Sequence, residues 1–211
     1  MLVRRSKKGI VGIEAAIVLI AFVIVAAALA FVTINMGMFT TQKSKEVMQQ
    51  GLNEATTALE VDGVVLGYVD SNTKVSHIFV PLKVSPGQLA VDFNKDKIDV
   101  TIKLPGGAYS KINSGNDPQS TSGIVNLTYL KDDVTAGNTG PVAKVFIIQG
   151  DGDTVLEVGE KFMLVIGLPS NLELSQYQSF TVEIKPLQGA PLVVERSVPP
   201  TLTANDFVSL G

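Results

Sequence analysis

The chain contains no cysteine among its 211 residues, and this absence excludes two kinds of site. Neither a disulfide framework nor a thiolate metal site can form without cysteine. If such a chain works outside the cell, packing alone must hold it together, and a domain of about 150 residues can bury enough surface to do so. His77 is the only histidine, and we expect it to be an edge or surface residue at the start of a strand. No glycine-rich phosphate loop precedes a predicted helix. We therefore predict that the chain is not an enzyme.

Positive charge is scarce outside the N-terminus. Residues 1–9 carry four of the 17 basic residues, and no acidic residue precedes Glu14. The rest of the chain has 13 basic and 20 acidic residues, a net charge of −7. Nucleic-acid binding needs a basic surface that pairs with phosphates. We therefore predict no nucleic-acid partner and a well-solvated exterior.

No charged residue occurs between Glu14 and Lys43, which leaves 28 uncharged residues from position 15 to position 42. Proline is also absent before Pro81, so nothing in this segment interrupts a helix. We predict one continuous helix over residues 10–60. Its first part is apolar nearly all round, whereas its second part is amphipathic. The apolar stripe of the second part consists of Met48, Leu52, Ala55 and Leu59.

A helix of fifty residues is about 75 Å long, whereas the hydrocarbon core of a bilayer is only about 30 Å thick. The predicted helix is therefore long enough to extend beyond a membrane. Glu14 lies near the start of the apolar run, where an unpaired carboxylate in lipid costs several kcal/mol.

From residue 61 to residue 211 the pattern is that of strands separated by turn clusters, without an intervening helix. This spacing predicts an antiparallel β-sandwich, and the fold class is accordingly α+β, with one long N-terminal α-helix before the sandwich. The predicted strands are Val64–Val69, His77–Val84, Leu89–Phe93, Ile98–Leu104, Ile124–Lys131, Lys144–Gln149, Lys161–Gly167, Ser179–Lys185 and Leu192–Val198.

Three mechanisms compete for the N-terminal segment. A secretory signal peptide fits the sequence Ala28-Leu29-Ala30, but its apolar region would be unusually long. A plain membrane anchor fits the length and the basic flank, and it leaves Glu14 unexplained. The third mechanism is cleavage on the cytoplasmic side, before the apolar helix begins.

The sequence Lys7-Lys8-Gly9-Ile10-Val11-Gly12-Ile13-Glu14 resembles the leader of type IV pilin-like proteins. The run from Gly9 to Gly37, together with Asn35–Lys45 and Ala58–Gly63, resembles the archaellins, the filament proteins of the archaeal motility organelle. The resemblance implies that residues 1–9 are a class III (prepilin-type) signal peptide. Cleavage would then fall between Gly9 and Ile10, after the basic pair Lys7 and Lys8. Residues 10–60 would form the filament core, and residues 61–211 an immunoglobulin-like outer sandwich.

Cleavage after Gly9 would give Ile10 an α-amine with a pKa near 8. Glu14 lies four residues further on, so its carboxylate can neutralise that amine in the same copy or in a neighbouring one. A paired charge costs much less in an apolar medium than an isolated one. We therefore expect Glu14 to set the register of assembly. An alternative role for Glu14 is to stabilise the start of the helix, because the helix macrodipole favours a carboxylate there. The two roles are compatible.

By resemblance, the function is that of a structural subunit in an extracellular filament that a membrane motor rotates. The implied partners are copies of the same chain, a prepilin peptidase, and a membrane assembly platform with its ATPase; the membrane holds the subunit before assembly. An adhesive type IV-like pilin shares every argument about the helix. A monomeric, membrane-anchored surface β-domain is the alternative from a different class of protein.

Two further sites are candidates. Asn126 begins the only N-x-S/T sequon, and archaellins are commonly glycosylated, so we expect a glycan there if Asn126 faces solvent. Asp151, Asp153 and Glu157 lie in an acidic cluster whose oxygens suit Ca2+ or Mg2+. A solvated turn without a metal is the simpler interpretation of this cluster, and we expect no other cofactor.

Overall fold

The computed structural model describes residues 8–56, 59–113, 118–120, 126–134 and 140–211. The chain divides into two compact units, one ending at Gly51 and one extending from Leu52 to Gly211. Lys7, part of the predicted processing site, lies outside the described residues, as does the beginning of the predicted strand at Ile124.

The described part of the first unit is helical throughout. Helix α1 extends from Lys8 to Thr56 and includes 49 residues, in agreement with the uninterrupted helical pattern of the sequence. The prediction was wrong at Leu59, which belongs to a strand and is buried in the sandwich rather than continuing the helical stripe. Leu59 pairs with Val84, so burial against a distant strand prevails over a local helical periodicity.

The second unit contains thirteen described strands and one short helix. The strands are β1 (Leu59–Val61), β2 (Val65–Val69), β3 (Val75–Val84), β4 (Val91–Asp92), β5 (Ile98–Leu104), β6 (Gly107–Tyr109), β7 (Gln119–Ser120), β8 (Val142–Gln149), β9 (Val155–Leu156), β10 (Lys161–Gly167), β11 (Ser179–Pro186), β12 (Leu192–Ser197) and β13 (Phe207–Leu210). Helix α2 (Leu127–Asp133) lies between β7 and β8 in the sequence.

The strands form two main sheets. The seven-stranded sheet has the order β13-β2-β3-β10-β8-β7, with β1 also paired to β3, and the four-stranded sheet has the order β12-β11-β5-β6. A third, two-stranded ladder joins β4 to β9. Every ladder is antiparallel except that between β7 and β8, which is parallel. The predicted antiparallel sandwich is therefore confirmed in the described residues, with one parallel pair at its edge.

The core between the two sheets consists of apolar side chains that occupy every second position along the strands. In β5, Val100 and Ile102 are fully buried, and they lie opposite Ile184 and Val182 of β11. Leu164 of β10 pairs with Val80 of β3 in the other sheet, and both belong to the same apolar cluster as the β5 residues. Side chains with a period of two thus face one another across the sandwich, as sheet packing requires.

The predicted strand Ile124–Lys131 is the clearest error of the sequence analysis, because Leu127–Asp133 is a helix. Asn126 is its N-cap, and Leu130 and Val134 are buried against Phe79, Phe146 and Val165. The spacing of Leu127, Leu130 and Val134 gives a helix one apolar side, which covers the outer face of the seven-stranded sheet.

Candidate functional site

The apolar surface of α1 is the largest feature of the chain that its own fold leaves uncovered. Phe22 is 77% exposed and Phe31 is 68% exposed, and the aliphatic residues around them are exposed to a similar degree. A helix that is apolar all round is normally buried in a membrane or among other helices. Residues Gly12–Leu52 are long and apolar enough to cross a membrane, by length and composition. The surface of α1 therefore has the character of one that lipid or other helices cover.

Threonines within the uncharged run satisfy their hydroxyl groups inside the helix. Thr33 donates to the Leu29 carbonyl, Thr40 to that of Met36 and Thr41 to that of Gly37, each at 2.8 Å. A hydroxyl that already has a partner is much less costly to remove from water than one without. The surface of α1 is therefore better prepared for apolar surroundings than its composition alone suggests.

Glu14 is exposed, and its neighbours on the helix surface are Ala15, Val18, Leu19 and Phe22. The next charged residues along α1 are Lys43, Lys45 and Glu46, and Lys43 pairs with Glu46 at 2.6 Å. The carboxylate of Glu14 is thus the one charge in an apolar surface more than 25 residues long. Desolvation of that surface would require a cation beside Glu14.

The predicted cleavage site lies in the first turn of α1. Lys8, Gly9 and Ile10 have helical backbones. The first four N–H groups of a helix have no acceptor within the helix, so this turn opens more easily than those that follow. Ile10 and Glu14 are separated by four residues and therefore lie one turn apart on the same side of the helix.

Asn126, the predicted glycosylation site, is exposed and begins a helix rather than lying within a strand. Its Oδ1 accepts a hydrogen bond from the Thr128 amide at 2.9 Å. The capping bond uses the side-chain oxygen and does not engage Nδ2, the atom that an N-linked glycan modifies. The cap and a glycan are chemically compatible at this residue.

His77 has a structural environment in which both ring nitrogens are used. A carbonyl can only accept, so Nε2 donates to the Val134 carbonyl at 3.0 Å, and Nδ1 receives the Ser76 hydroxyl at 3.0 Å. Burial lowers the pKa of His77 below 6.5, with Lys131 contributing in the same direction. Lys144 also donates to the Asp133 carbonyl, at 2.7 Å. His77 and Lys144 therefore attach the end of α2 to the seven-stranded sheet.

The acidic cluster lies in the turns between β8 and β10, which include the short strand β9. Asp151 accepts from the Asp153 amide at 3.1 Å, and Asp153 accepts from the Val155 amide at 2.7 Å. Glu160 accepts from two amides, those of Asp151 and Glu157. Within the described ranges no three His, Asp or Glu side chains converge in a way that could hold a metal ion. A Ca2+ or Mg2+ site at Asp151, Asp153 and Glu157 stays a prediction.

An ion-pair cluster near the beginning of the sandwich was missed by the sequence analysis. Asp62 receives Lys161 at 2.6 Å and Lys83 at 3.4 Å, and Lys83 lies 3.8 Å from Glu60. The hydrogen bond from Lys161 holds the pKa of the Asp62 carboxyl below its usual value. Only the pairing of β1 with β3, and of β3 with β10, brings these residues together.

Comparison with known proteins agrees with this arrangement of an uncovered helix and a sandwich. A family model described as archaeal-type flagellin matches residues 9–196. "Probable flagellin 1" of Aeropyrum pernix is 54% identical over 207 residues, which cover 98% of this chain and 100% of the relative. "Probable flagellin 2" of Archaeoglobus fulgidus is 32% identical over 219 residues, 97% of this chain and 96% of the relative.

Two solved structures are similar in fold. The archaeal flagellum of Methanospirillum hungatei strain JF1 superposes with a TM-score of 0.67 at 25% identity, over 94% of this chain and 98% of the solved one. The crystal structure of flagellin FlaB1 from Methanocaldococcus jannaschii gives a TM-score of 0.58 at 17% identity, over 73% of this chain and 96% of the solved one. The chain belongs to the archaeal-type flagellin family, and it is a structural filament subunit rather than an enzyme.

Proposed function

We propose that the chain is made as a membrane-held precursor, loses residues 1–9, and then polymerises through α1 into the core of an extracellular motility filament. The observation that carries this proposal is the uncharged, exposed surface of residues 15–42 with Glu14 at its head. The bilayer covers this surface before assembly, and the same surface of neighbouring copies covers it afterwards. Burial at roughly 25 cal/mol per Å2 of apolar area would make this contact dominate subunit cohesion.

Small residues along α1 support close packing between helices. Lipid is as apolar as leucine, so helices associate in a membrane where small side chains allow their backbones to approach. In a helical filament the contact between copies must also be heterologous, so that one surface of a subunit binds a different surface of the next. When the rotation between successive copies does not close a ring, such a contact generates an open helical polymer. The small residues in question are Ala15, Ala16, Ala21, Ala26, Ala27, Ala28 and Ala30.

Glu14 sets the register of the polymer in this proposal. Removal of residues 1–9 creates a positive α-amine on Ile10, and Glu14 is the only acidic group in the apolar surface. A copy that slides to any register other than the correct one leaves a buried charge unpaired, which costs several kcal/mol.

Three partners follow from the same proposal. A prepilin peptidase cuts between Gly9 and Ile10, guided by Lys7 and Lys8. A membrane platform and its ATPase then move the processed subunit from the bilayer to the base of the filament. These partners come from the resemblance to archaellins, and the position of the cut at the first turn of α1 is consistent with access for a peptidase.

Asn126 carries an N-linked glycan in this proposal. The residue is exposed, it begins a sequon, and its capping bond uses Oδ1 rather than Nδ2. A glycan there would project from the α2 side of the sandwich into solvent.

Intact-mass analysis of shed filaments tests the processing step and the polymerisation step together. The proposal expects subunits that begin at Ile10 and that sediment as polymers. Subunits that retain Met1 and stay in the membrane fraction would overturn it. Lys8→Ala is a suitable variant for testing the processing step separately, since it changes the processing site without altering residues 10–211.

A further inference from the structure

Two oppositely charged surfaces lie at one end of the sandwich. The acidic surface is the turn Asp151–Glu160, which contains four acidic residues and no basic one. The lysine cavity is a depression of 480 Å3 whose lining includes Lys95, Lys97, Lys111 and Lys185, with Asp96 and Asp99 beside them.

The two surfaces belong to different sheets of the sandwich. The acidic turn connects β8 to β10 of the seven-stranded sheet, whereas Lys97 precedes β5 and Lys185 ends β11, both in the four-stranded sheet. The ladder between β4 and β9 joins the two regions, because Val91 pairs with Leu156. The sandwich is therefore acidic on one side of this end and lysine-rich on the other.

Among the residues that the structure describes, the acidic charges of this turn have no basic partner. The side chains of Asp151, Asp153 and Glu160 accept hydrogen bonds from backbone amides, which leave the negative charge in place. Across the described ranges, no lysine or arginine lies within ion-pair distance of the four carboxylates. Lys97 is already paired with Asp92 at 2.6 Å, whereas Lys111 and Lys185 are exposed and form no ion pair with any described residue.

Each charged surface also has one exposed aliphatic side chain. Val158 in the acidic turn is 52% exposed, and Leu187 at the lysine cavity is 72% exposed. Leu187 is held in place by the bond from its amide to the Lys97 carbonyl at 2.7 Å. An apolar contact surrounded by complementary charges is typical of a specific protein interface.

We infer that the acidic turn of one subunit docks on the lysine cavity of a second copy of the same chain, with Val158 against Leu187. The inference rests on assembly of the chain into a filament, and it assigns a second contact besides that of α1. The contact joins two different surfaces, so copies arranged head to tail make a heterologous contact that can repeat along an open polymer. The charges fix which side of each sandwich faces its neighbour.

Cysteine pairing tests the contact directly, because the native chain contains no cysteine. Val158→Cys and Leu187→Cys are placed in separate copies of the full-length chain, which are then co-assembled and oxidised. The expected result is a disulfide-linked dimer of the two variants in the mixed filament. Val158→Cys mixed with Val193→Cys is the matched control, because Val193 is also exposed and lies on β12, outside the lysine cavity.

Charge reversal provides a second test on the same filaments. Glu157→Lys and Lys185→Glu should each weaken the polymer at low salt, by roughly two- to fivefold in dissociation constant, and the combination should restore it. Lys103→Glu is the control, since Lys103 is exposed on the neighbouring strand β5 and away from the lysine cavity.

Filaments that form but give no mixed dimer above the control would overturn the inference while leaving the proposed function intact. Failure of the combined charge variant to assemble better than the single variants would also overturn it. If the unmodified chain forms no filament at all, the proposed function itself is wrong.

Discussion

We expect the charge of Glu14 to have a large effect on assembly, because the surface around it is uniformly apolar. A carboxylate on a solvated helix contributes little, but this one lies in a surface that must become desolvated for the polymer to form. The effect of its charge on assembly therefore depends on the 28 uncharged residues that follow it.

Glu14→Ala should leave processing largely intact and strongly reduce filament yield. The variant removes the group that we expect to pair with the Ile10 amine, so copies lose their preferred register. The measurement is the fraction of subunit in sedimentable filaments, with the mature N-terminus determined by mass. Glu46→Ala is the control, because Glu46 lies on the same helix but pairs with Lys43 in an exposed position. Normal filament yield from Glu14→Ala would contradict the register role.

His77 makes the stability of the sandwich depend on pH. Its pKa is lowered in the folded chain, mainly by burial, so the unfolded chain binds the proton more tightly. Stability from this residue is therefore complete above about pH 6.5 and decreases as the pH falls through that value. We expect the melting temperature of the full-length chain in detergent to fall by a few °C more, between pH 7.5 and pH 5, than that of His77→Gln. Parallel pH profiles for the two proteins would contradict this assignment.

At the scale of elements, helix α2 is the part of the sandwich whose formation depends most on its context. It has only seven residues, and isolated helices of that length are unstable in water. The Asn126 cap and the burial of Leu130 on the seven-stranded sheet stabilise it. The sequon begins at the same residue that caps the helix, so the cap and the proposed glycan both depend on Asn126.

Variants of the sequon can separate these two roles. Asn126→Ala should remove the glycan and destabilise the sandwich by about 1 kcal/mol, because alanine cannot cap the helix. Asn126→Asp and Thr128→Ala should remove the glycan alone, since each keeps a side-chain oxygen at the cap and the amide at residue 128. Intact mass reports the glycan, and thermal unfolding reports the cap. An unfolding temperature unchanged in Asn126→Ala would contradict the capping role.

At the scale of the whole molecule, the two units differ in how their apolar residues are covered. The sandwich buries its apolar residues within one chain, whereas α1 buries almost none of its own. We expect lipid or other copies to cover the first unit, whereas the second can fold without them.

Residues 52–211 alone should fold and remain monomeric. The two sheets enclose a continuous core without any contribution from residues 8–51, so the folding energy of the sandwich lies within this segment. Sedimentation and circular dichroism of this fragment, compared with the full-length chain, provide the measurement. Filaments formed by the fragment would show that assembly does not require α1.

Features that depend on neighbouring residues could be predicted from the amino-acid sequence. The long helix follows from an apolar run without proline, and strands such as Ile98–Leu104 and Lys161–Gly167 follow from periodicity and turn residues. Glu14 and the Asn126 sequon could be recognised in the same way, because each is a local pattern.

Contacts between distant residues, in contrast, emerge only from the folded chain. Burial against Val84 assigns Leu59 to a strand instead of the helix, and packing on the sheet makes Leu127–Asp133 a helix instead of a strand. The Asp62 ion pairs and the lysine cavity likewise unite residues from several strands. Apart from proline, local helix propensities differ by at most about 1 kcal/mol per residue, whereas burial of a large apolar side chain contributes about 1.5–3 kcal/mol. Burial therefore prevails wherever the two conflict, and a single sequence does not reveal which strands will provide it.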